Sequence, residues 1–297
     1  MTATHDWRPL YPFRSREVIL GGQRCHYIDE GAGPVLLLVH GNPTWSFYWR
    51  EMVRAISGRY RVVAIDHIGC GLSDKPSPAD YSYRMAQRIA DLRQFVETLD
   101  LRRITLVAHD WGGLIGMGTA VAAPERFARF VLMNTAAFRA DRCPWRIRMC
   151  HVPVLGQAAI QGLNLFVRAA LRMTVCKHER MTPAVKAGYL APYDSWAHRA
   201  AVYRFVLDIP LHPGHPSYKT LVEIEQGLAK FRQHPVCLIW GMRDWCFSPW
   251  FLERFCDSFP QAEVHRLADA GHYVMEDAHE QVVPLVERFL EKHPLTS

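Results

Sequence analysis

The 297-residue chain has no run of lysine and arginine, no C-x-x-C cysteine pair and no internal repeat. Its formal charge of +6 comes from arginines scattered along the chain, which is typical of a solvated surface and argues against a nucleic-acid partner. Apolar residues make up 49% and charged residues 22%, a balance that predicts a folded protein with a large core. At this length we expect one core domain with an insertion.

Further absences exclude metal sites, signal peptides and membrane spans. The eight cysteines lack zinc-site spacing and no glycine-rich loop suits a phosphate, so we expect neither a metal nor an organic cofactor. Residues 1–12 are polar and do not resemble a signal peptide, which predicts a cytoplasmic location. The longest apolar stretch, residues 152–175, is interrupted by glutamine, asparagine and arginine, so it predicts an amphipathic helix and not a transmembrane segment.

Short apolar runs alternate with helical patterns, which predicts a mostly parallel, doubly wound sheet of the α/β class. An opening hairpin is expected at 16–20 and 23–29, turning at Gly21 and Gly22. The other predicted strands are 35–40, 61–67, 104–110, 130–135, 236–241 and 262–267. Helices are predicted at 81–99, 113–123, 249–258 and 278–291.

The alternation stops between residues 136 and 216, where proline, tryptophan, tyrosine and arginine are frequent and no strand pattern appears. We interpret this segment as a helical cap inserted into the core, which then comprises residues 1–135 and 217–297. Such a cap would roof a pocket at the edge of the sheet. Aromatic residues of this segment are candidates to line an apolar channel, although an aromatic stripe is also typical of ordinary packing: Trp145, Phe166, Trp196, Tyr203 and Phe205.

The segment 104–113 runs from a strand into a tight turn of small residues and then into a helix, as in a nucleophile elbow. Asp110 occupies the position that serine holds in the usual G-x-S-x-G pattern. Backbone N–H groups at a helix N-terminus stabilise an anion, so this carboxylate can attack without prior deprotonation. By itself, Asp110 is equally compatible with a simple helix N-cap.

Two later residues favour the catalytic interpretation. Asp244 follows the predicted strand 236–241, and His272 lies in a small-residue loop after the last strand. Nucleophile, acid and histidine in this chain order, each at a strand end, predict a catalytic triad. An acid at the end of strand 130–135 would be an alternative, but Asn134 and Thr135 stand there.

A polar pair is predicted beside the nucleophile. Asn42, in the loop after strand 35–40, offers an amide N–H, and Trp111 offers an indole N–H. Together they are candidates to stabilise an anionic leaving group. Asn42 could also simply form a turn and Trp111 could simply pack in the pocket. Both of these structural roles are compatible with the functional one.

Several motifs resemble the haloalkane dehalogenase branch of the α/β-hydrolases, and the likeness covers nearly the whole chain. They are residues 40–45 (HGNPTW), 66–76 (DHIGCGLSDKP) and 109–113 (HDWGG). Within that branch, four further segments most resemble the β-lactone decarboxylases of bacterial long-chain olefin biosynthesis. These segments are 134–138, 189–196, 208–211 and 269–277.

The resemblance implies two chemistries for one set of residues. In a haloalkane dehalogenase, the carboxylate corresponding to Asp110 displaces halide, and the pair His272–Asp244 activates water to hydrolyse the alkyl-enzyme ester. In a β-lactone decarboxylase, the ring carboxylate takes the place of halide, and loss of carbon dioxide leaves a cis alkene. The subgroup likeness favours the decarboxylase, with no cofactor and an apolar small-molecule substrate. It also implies a multi-enzyme assembly with other olefin-pathway enzymes.

Three rival functions are weaker. A serine hydrolase is disfavoured because Asp110 occupies the elbow. An epoxide hydrolase would need a cap tyrosine as proton donor, for which Tyr189, Tyr193 and Tyr203 are available. A catalytically inactive scaffold is disfavoured by the intact triad.

Overall fold

The computed structural model describes residues 6–295. Residues 1–5 and 296–297 lie outside this description. The prediction that residues 1–12 are no signal peptide, and the predicted core of 1–135 and 217–297, therefore fall partly outside the described residues. One sheet of eight strands has the order β1-β2-β4-β3-β5-β6-β7-β8. The strands are β1 (Ser15–Leu20), β2 (Gln23–Glu30), β3 (Val35–Val39), β4 (Arg61–Ile65), β5 (Ile104–Asp110), β6 (Phe127–Thr135), β7 (Val236–Gly241) and β8 (Glu263–Leu267).

All eight predicted strands are present, and the sheet is mostly parallel as expected. β1 and β2 form the antiparallel hairpin at one edge, turning at Gly21 and Gly22. From β4 to β8, neighbouring strands pair in parallel, so their carboxyl ends lie along one edge of the sheet. Every residue of β5 and β7 is buried, which explains why these strands are mostly apolar; the polar residues of β5 are Thr105, His109 and Asp110.

Helices cover both faces of the sheet. The helices on the core are α1 (Arg50–Ile56), α2 (Met85–Thr98), α3 (Trp111–Ala122), α10 (Pro249–Ser258) and α11 (Val274–Lys292). Helices α2, α3 and α10 pack in one apolar cluster, and α1 and α11 in the other, on the opposite face. The sequence pattern did not indicate α1, and it placed the start of α11 at Ala278, where the helix is kinked.

Between β6 and β7 the structure contains helices and turns. Six α-helices lie here: α4 (Trp145–Met149), α5 (Leu155–Gln157), α6 (Leu165–Met173), α7 (Pro183–Leu190), α8 (Ala200–Leu207) and α9 (Tyr218–Gly227). The expectation of one amphipathic helix over residues 152–175 is wrong. A π-turn at Ala158–Gly162 and the left-handed residue Asn164, with φ of 55°, divide this stretch into α5 and α6. No helix within residues 6–295 is long and apolar enough to cross a membrane.

Candidate active site

The turn between β5 and α3 presents the Asp110 side chain at the carboxyl edge of the sheet. Asp110 has φ of 54° and ψ of −130°, a backbone conformation that is strained for a residue with a side chain. The turn also needs glycine beside it, because a Cβ on Gly41 would lie 2.0 Å from Asp110 Oδ1. A Cβ on Gly113 would lie equally close, at 2.0 Å, to Thr135 Oγ1. These features are those of a nucleophile elbow.

Asp110, Asp244 and His272 come together although the chain separates them widely. His272 Nδ1 lies 2.8 Å from Asp244 Oδ2, and His272 Nε2 lies 3.5 Å from Asp110 Oδ2. The imidazole of His272 thus bridges the two carboxylates. All three side chains are buried. The hydrogen bond to Asp244 is the closer contact and orients the ring, leaving Nε2 directed at Asp110.

The two carboxylates set the charge of the histidine. Burial alone would lower the pKa of His272, but the negative charges and hydrogen bonds of Asp244 and Asp110 outweigh it and raise the pKa from 6.5 to about 10. Burial likewise opposes ionisation of Asp110, yet His272 and the backbone N–H of Trp111 hold the pKa of Asp110 below its usual value. The site at neutral pH is thus an imidazolium between two carboxylates.

Asp244 is fixed by donors on both oxygens. Its Oδ1 accepts the backbone N–H of Cys246 at 2.6 Å, and its Oδ2 accepts the side-chain amide of Asn134 at 2.9 Å. Asn134 is held in turn by the backbone of Gly241, whose N–H donates to Asn134 Oδ1 at 2.8 Å. Asn134 at the end of β6 therefore positions the acid that follows β7.

His109 supports the loop that carries His272. Its Nε2 donates to the backbone carbonyl of His272 at 2.8 Å, and its ring stacks on Tyr48 with centroids 4.6 Å apart. Burial and the neighbouring charge of His272 lower the pKa of His109 to about 3, so this ring is neutral. It contributes a hydrogen bond and packing without adding a second positive charge.

Asn42 and Trp111 both lie beside Asp110. The backbone N–H of Asn42 donates to Asp110 Oδ1 at 2.6 Å, a contact that the sequence did not indicate. The Asn42 side-chain amide donates to the carbonyl of Val202 at 3.2 Å, which leaves one amide hydrogen for a ligand. Trp111 packs on Phe205 with ring centroids 5.2 Å apart, and its indole N–H has no acceptor among residues 6–295.

A cavity of about 310 Å³ reaches Asp110, Trp111, Asn42 and His272. Most of its wall is apolar and comes from the helical segment above the sheet, including Ile147, Ile160, Leu165, Phe166, Met173 and Val206. The phenyl ring of Phe247 stacks on His272, with centroids 5.6 Å apart, and completes the wall beside the triad. Such a cavity suits an apolar ligand that meets polar groups at one end. Among residues 6–295 there is no group of three or more potential metal ligands.

The expected channel residues are wrong in four of five cases. Phe166 does line the cavity, whereas Trp145 and Trp196 are 68% and 49% exposed. Tyr203 and Phe205 are buried in packing contacts outside the cavity wall. The four residues lie on other elements than α6: Trp145 begins α4, Trp196 follows α7, and Tyr203 and Phe205 lie on α8, so how these short helices pack decides which side chains reach the cavity.

Tyr189, Tyr193 and Tyr203 do not provide a proton donor to the cavity. The Tyr189 hydroxyl donates to Glu276 at 2.5 Å, and the Tyr193 hydroxyl donates to the carbonyl of Thr44 at 3.2 Å. Neither these residues nor Tyr203 belong to the cavity wall. The arrangement expected of an epoxide hydrolase is therefore not found among them.

Comparison with known proteins agrees with this geometry. The α/β hydrolase fold family matches residues 34–278. A cis-3-alkyl-4-alkyloxetan-2-one decarboxylase of Shewanella oneidensis is 41% identical over 285 residues, covering 95% of this chain and 89% of that protein. Haloalkane dehalogenase 2 of Mycobacterium bovis is 35% identical over 286 residues, covering 94% of this chain and 96% of that protein.

Solved structures agree on the fold. The crystal structure of the haloalkane dehalogenase DatA from Agrobacterium tumefaciens superposes with a TM-score of 0.85 at 24% identity, covering 95% of this chain and 97% of that one. The decarboxylase and the dehalogenase of the preceding paragraph are more similar in sequence, at 41% and 35% identity over 89% and 96% of their own lengths. The chain therefore belongs to the α/β-hydrolase family of enzymes, in the branch that contains the haloalkane dehalogenases and the cis-3-alkyl-4-alkyloxetan-2-one decarboxylases.

Proposed function

We propose that this enzyme is a cis-3-alkyl-4-alkyloxetan-2-one decarboxylase that converts a β-lactone with two alkyl chains to a cis olefin and carbon dioxide. The observation that carries the proposal is a buried, ionised carboxylate, Asp110, at the end of an apolar cavity. The 41% identity to a decarboxylase of that name supports the choice of substrate. The pathway is long-chain olefin biosynthesis, in the cytoplasm.

In the first step, an oxygen of Asp110 attacks the ring carbon that carries the ring oxygen. The bond between that carbon and the ring oxygen breaks, so the former lactone carbonyl becomes a free carboxylate. Because Asp110 is already ionised, this step needs no base. The remaining amide hydrogen of Asn42 and the indole N–H of Trp111 stabilise the departing carboxylate.

In the second step, the new carboxylate leaves as carbon dioxide. The electrons of the broken carbon–carbon bond form the double bond, and the ester bond to Asp110 breaks to regenerate its carboxylate. Attack with inversion followed by anti elimination preserves the cis relation of the two alkyl chains. Atoms and electrons balance without water, an oxidant or a reductant.

His272 has a positioning role in this scheme. As an imidazolium bound to Asp244, it balances the charge of Asp110 before attack and when the carboxylate is released. It does not activate water, because hydrolysis of the ester would give a hydroxy acid in place of the olefin. Incorporation of ¹⁸O from labelled water into Asp110 during lactone turnover, read by peptide mass spectrometry, would contradict this assignment.

We further propose that residues 136–216 form a cap over a core of residues 1–135 and 217–297. The apolar wall that α4 and α6 contribute to the cavity supports this division. The cap would set the length of alkyl chain that the cavity accepts. A multi-enzyme assembly with the enzymes that make the lactone is part of the same proposal, since an apolar intermediate has low solubility in water.

Haloalkane dehalogenase is the second candidate, favoured by the 35% identity to an enzyme of that name. The same carboxylate would displace halide, and His272 would then accept a proton from water. The two candidates differ in their products, since one releases olefin and the other releases halide and alcohol. Assays of purified protein with a cis-3,4-dialkyl β-lactone and with a 1-bromoalkane separate them.

A further inference from the structure

Large apolar side chains that are exposed to solvent are concentrated in the segment above the cavity. Among residues 6–295, eight of the nine such side chains lie between positions 145 and 196, and the ninth is Ile19 on β1. Val154 is 76% exposed and has φ of 63°, a costly conformation for a β-branched residue. We name the eight residues the roof patch: Trp145, Met149, Val154, Leu155, Leu163, Leu165, Met173 and Trp196.

The segment that carries seven of the eight roof-patch residues is strongly basic. Residues 142–178 contain five arginines and one lysine but no aspartate or glutamate. All five arginines are exposed: Arg142, Arg146, Arg148, Arg168 and Arg172. Arg142 lies 4.0 Å from Asp141, and within residues 6–295 the other four have no carboxylate within the 4.0 Å of an ion pair. Their charges are therefore available to an external anion.

Contacts join the roof patch to the mouth of the cavity. The indole N–H of Trp245 donates to the carbonyl of Met173 at 2.7 Å, and the Arg146 guanidinium lies 5.3 Å from the Trp245 ring centroid. Leu165 and Met173 are exposed and also line the cavity. The same surface thus carries exposed apolar groups, unpaired positive charge and an opening toward Asp110.

We infer that the roof patch docks on an anionic lipid surface. Apolar side chains, including two tryptophans, enter the boundary between headgroups and acyl chains, while the arginines contact lipid phosphates. Within residues 142–178, unpaired positive charge without an interspersed acid matches a uniformly negative surface better than a protein surface of mixed charge. The docking does not rest on the proposed reaction, since it needs no substrate.

Flotation of the full-length protein with lipid vesicles tests this inference. The protein should rise with vesicles that contain phosphatidylglycerol, and with pure phosphatidylcholine it should rise much less. Arg168→Gln combined with Arg172→Gln should lower the partition into anionic vesicles by roughly tenfold or more. The control is Arg16→Gln combined with Arg232→Gln, which removes the same charge from exposed sites elsewhere and should leave partition unchanged.

A second pair of variants tests the contribution of apolar side chains to vesicle binding. Leu155 and Ile19 are 69% and 59% exposed, and they lie in the roof patch and on the edge strand respectively. Leu155→Ser should lower partition by about fivefold, whereas Ile19→Ser should not change it. Thermal unfolding of both variants checks that each is folded.

Three results would overturn the inference. The first is no flotation of the wild-type protein, and the second is equal loss of partition in the roof and control variants. The third is concentration-dependent self-association in sedimentation that Leu155→Ser abolishes while vesicles are not bound. That last result would assign the roof patch to a second copy of the chain.

Discussion

The two sides of the cavity are held by different interactions. Along the carboxyl edge of the sheet, buried carboxylates accept backbone N–H groups from the loops that carry the site. Asp66 accepts the N–H groups of Ser46 and Leu72 at 2.7 and 2.8 Å. Asp277 accepts the N–H of Gly271, next to His272, at 2.7 Å. Charge-assisted bonds of this kind fix a loop even where its side chains pack little.

On the other side, the part of the helical segment around α6 relies on apolar packing and neutral amides. Asn164 and Gln161 donate to the carbonyls of Tyr193 and Trp196 at 3.1 and 3.2 Å. Such bonds are about half as strong as charge-assisted ones. We interpret this difference as a division of roles. The sheet edge holds Asp110, Asp244 and His272 in fixed positions, whereas the weaker contacts around α6 allow the cavity wall to adapt and to determine which substrate fits.

The strongest test of this contrast removes the nucleophile from the edge. Asp110→Asn should lower turnover by at least about a thousandfold, because the amide cannot form the ester. The folded protein should persist, since an amide oxygen can still accept the N–H of Asn42. Turnover and thermal unfolding are measured together, with Asp269→Asn as a control at an exposed carboxylate outside the cavity wall. Equal activity of Asp110→Asn and wild type would contradict the account.

The next largest effect should come from Asp277, which joins the edge to the helical side. Its carboxylate also accepts the N–H groups of Cys176 and Lys177, both at 2.9 Å. Asp277→Asn should lower the free energy of unfolding by about 2 kcal/mol, because an amide cannot accept all three donors as strongly. Asp269→Asn, at an exposed ion pair, should cost less than about 1 kcal/mol. The free energy of unfolding of both variants is measured by urea denaturation. Equal losses for Asp277→Asn and Asp269→Asn would contradict the distinction between the buried and the exposed carboxylate.

A substitution on the helical side should change substrate preference more than catalysis. Phe166→Ala enlarges the cavity wall and should raise KM for long-chain substrates by about tenfold while kcat changes little. Trp196→Ala, outside that wall, is the control and should leave both constants unchanged. A fall in kcat with unchanged KM for Phe166→Ala would show that this side also positions the reacting groups.

The last prediction concerns the pH dependence of stability. Because folding raises the pKa of His272 from 6.5 to about 10, its ion pairs stabilise the folded state fully below pH 6.5. That stabilisation is lost as the pH rises through about 10. Denaturation at several pH values should therefore show stability declining over this window in the wild type and declining less in His272→Gln. Parallel curves for the two proteins would contradict the charge assigned to His272.

The regularity of the edge explains why the sequence predicted it. β5 and α3 meet at a turn whose small residues and acid are adjacent in the chain, so the local pattern made Asp110 a candidate, and the later Asp244 and His272 favoured the catalytic interpretation over a helix N-cap. Asp244 and His272 follow strands, and parallel strands bring their carboxyl ends together. The support from Asn134 could not be predicted in this way, because its contact to Asp244 spans 110 residues and depends on the side-chain rotamer.

The helical side was predicted only as a segment. Its orientation depends on the π-turn at Ala158–Gly162 and on the left-handed Asn164, which interrupt the helical period. A change of period rotates the side chains that follow it, so the orientation of α6 could not be predicted from a regular helical pattern. Trp145 and Trp196 lie on other elements of the segment and face solvent, while Phe166 on α6 lines the cavity.

The central claim is that Asp110 opens a β-lactone and is released by loss of carbon dioxide. The most direct measurement is turnover of the purified protein with a cis-3,4-dialkyl β-lactone and with a 1-bromoalkane, reading olefin by gas chromatography and bromide by ion release. The account predicts cis olefin without appreciable bromide. Rapid bromide release without olefin would contradict it and would establish the enzyme as a haloalkane dehalogenase.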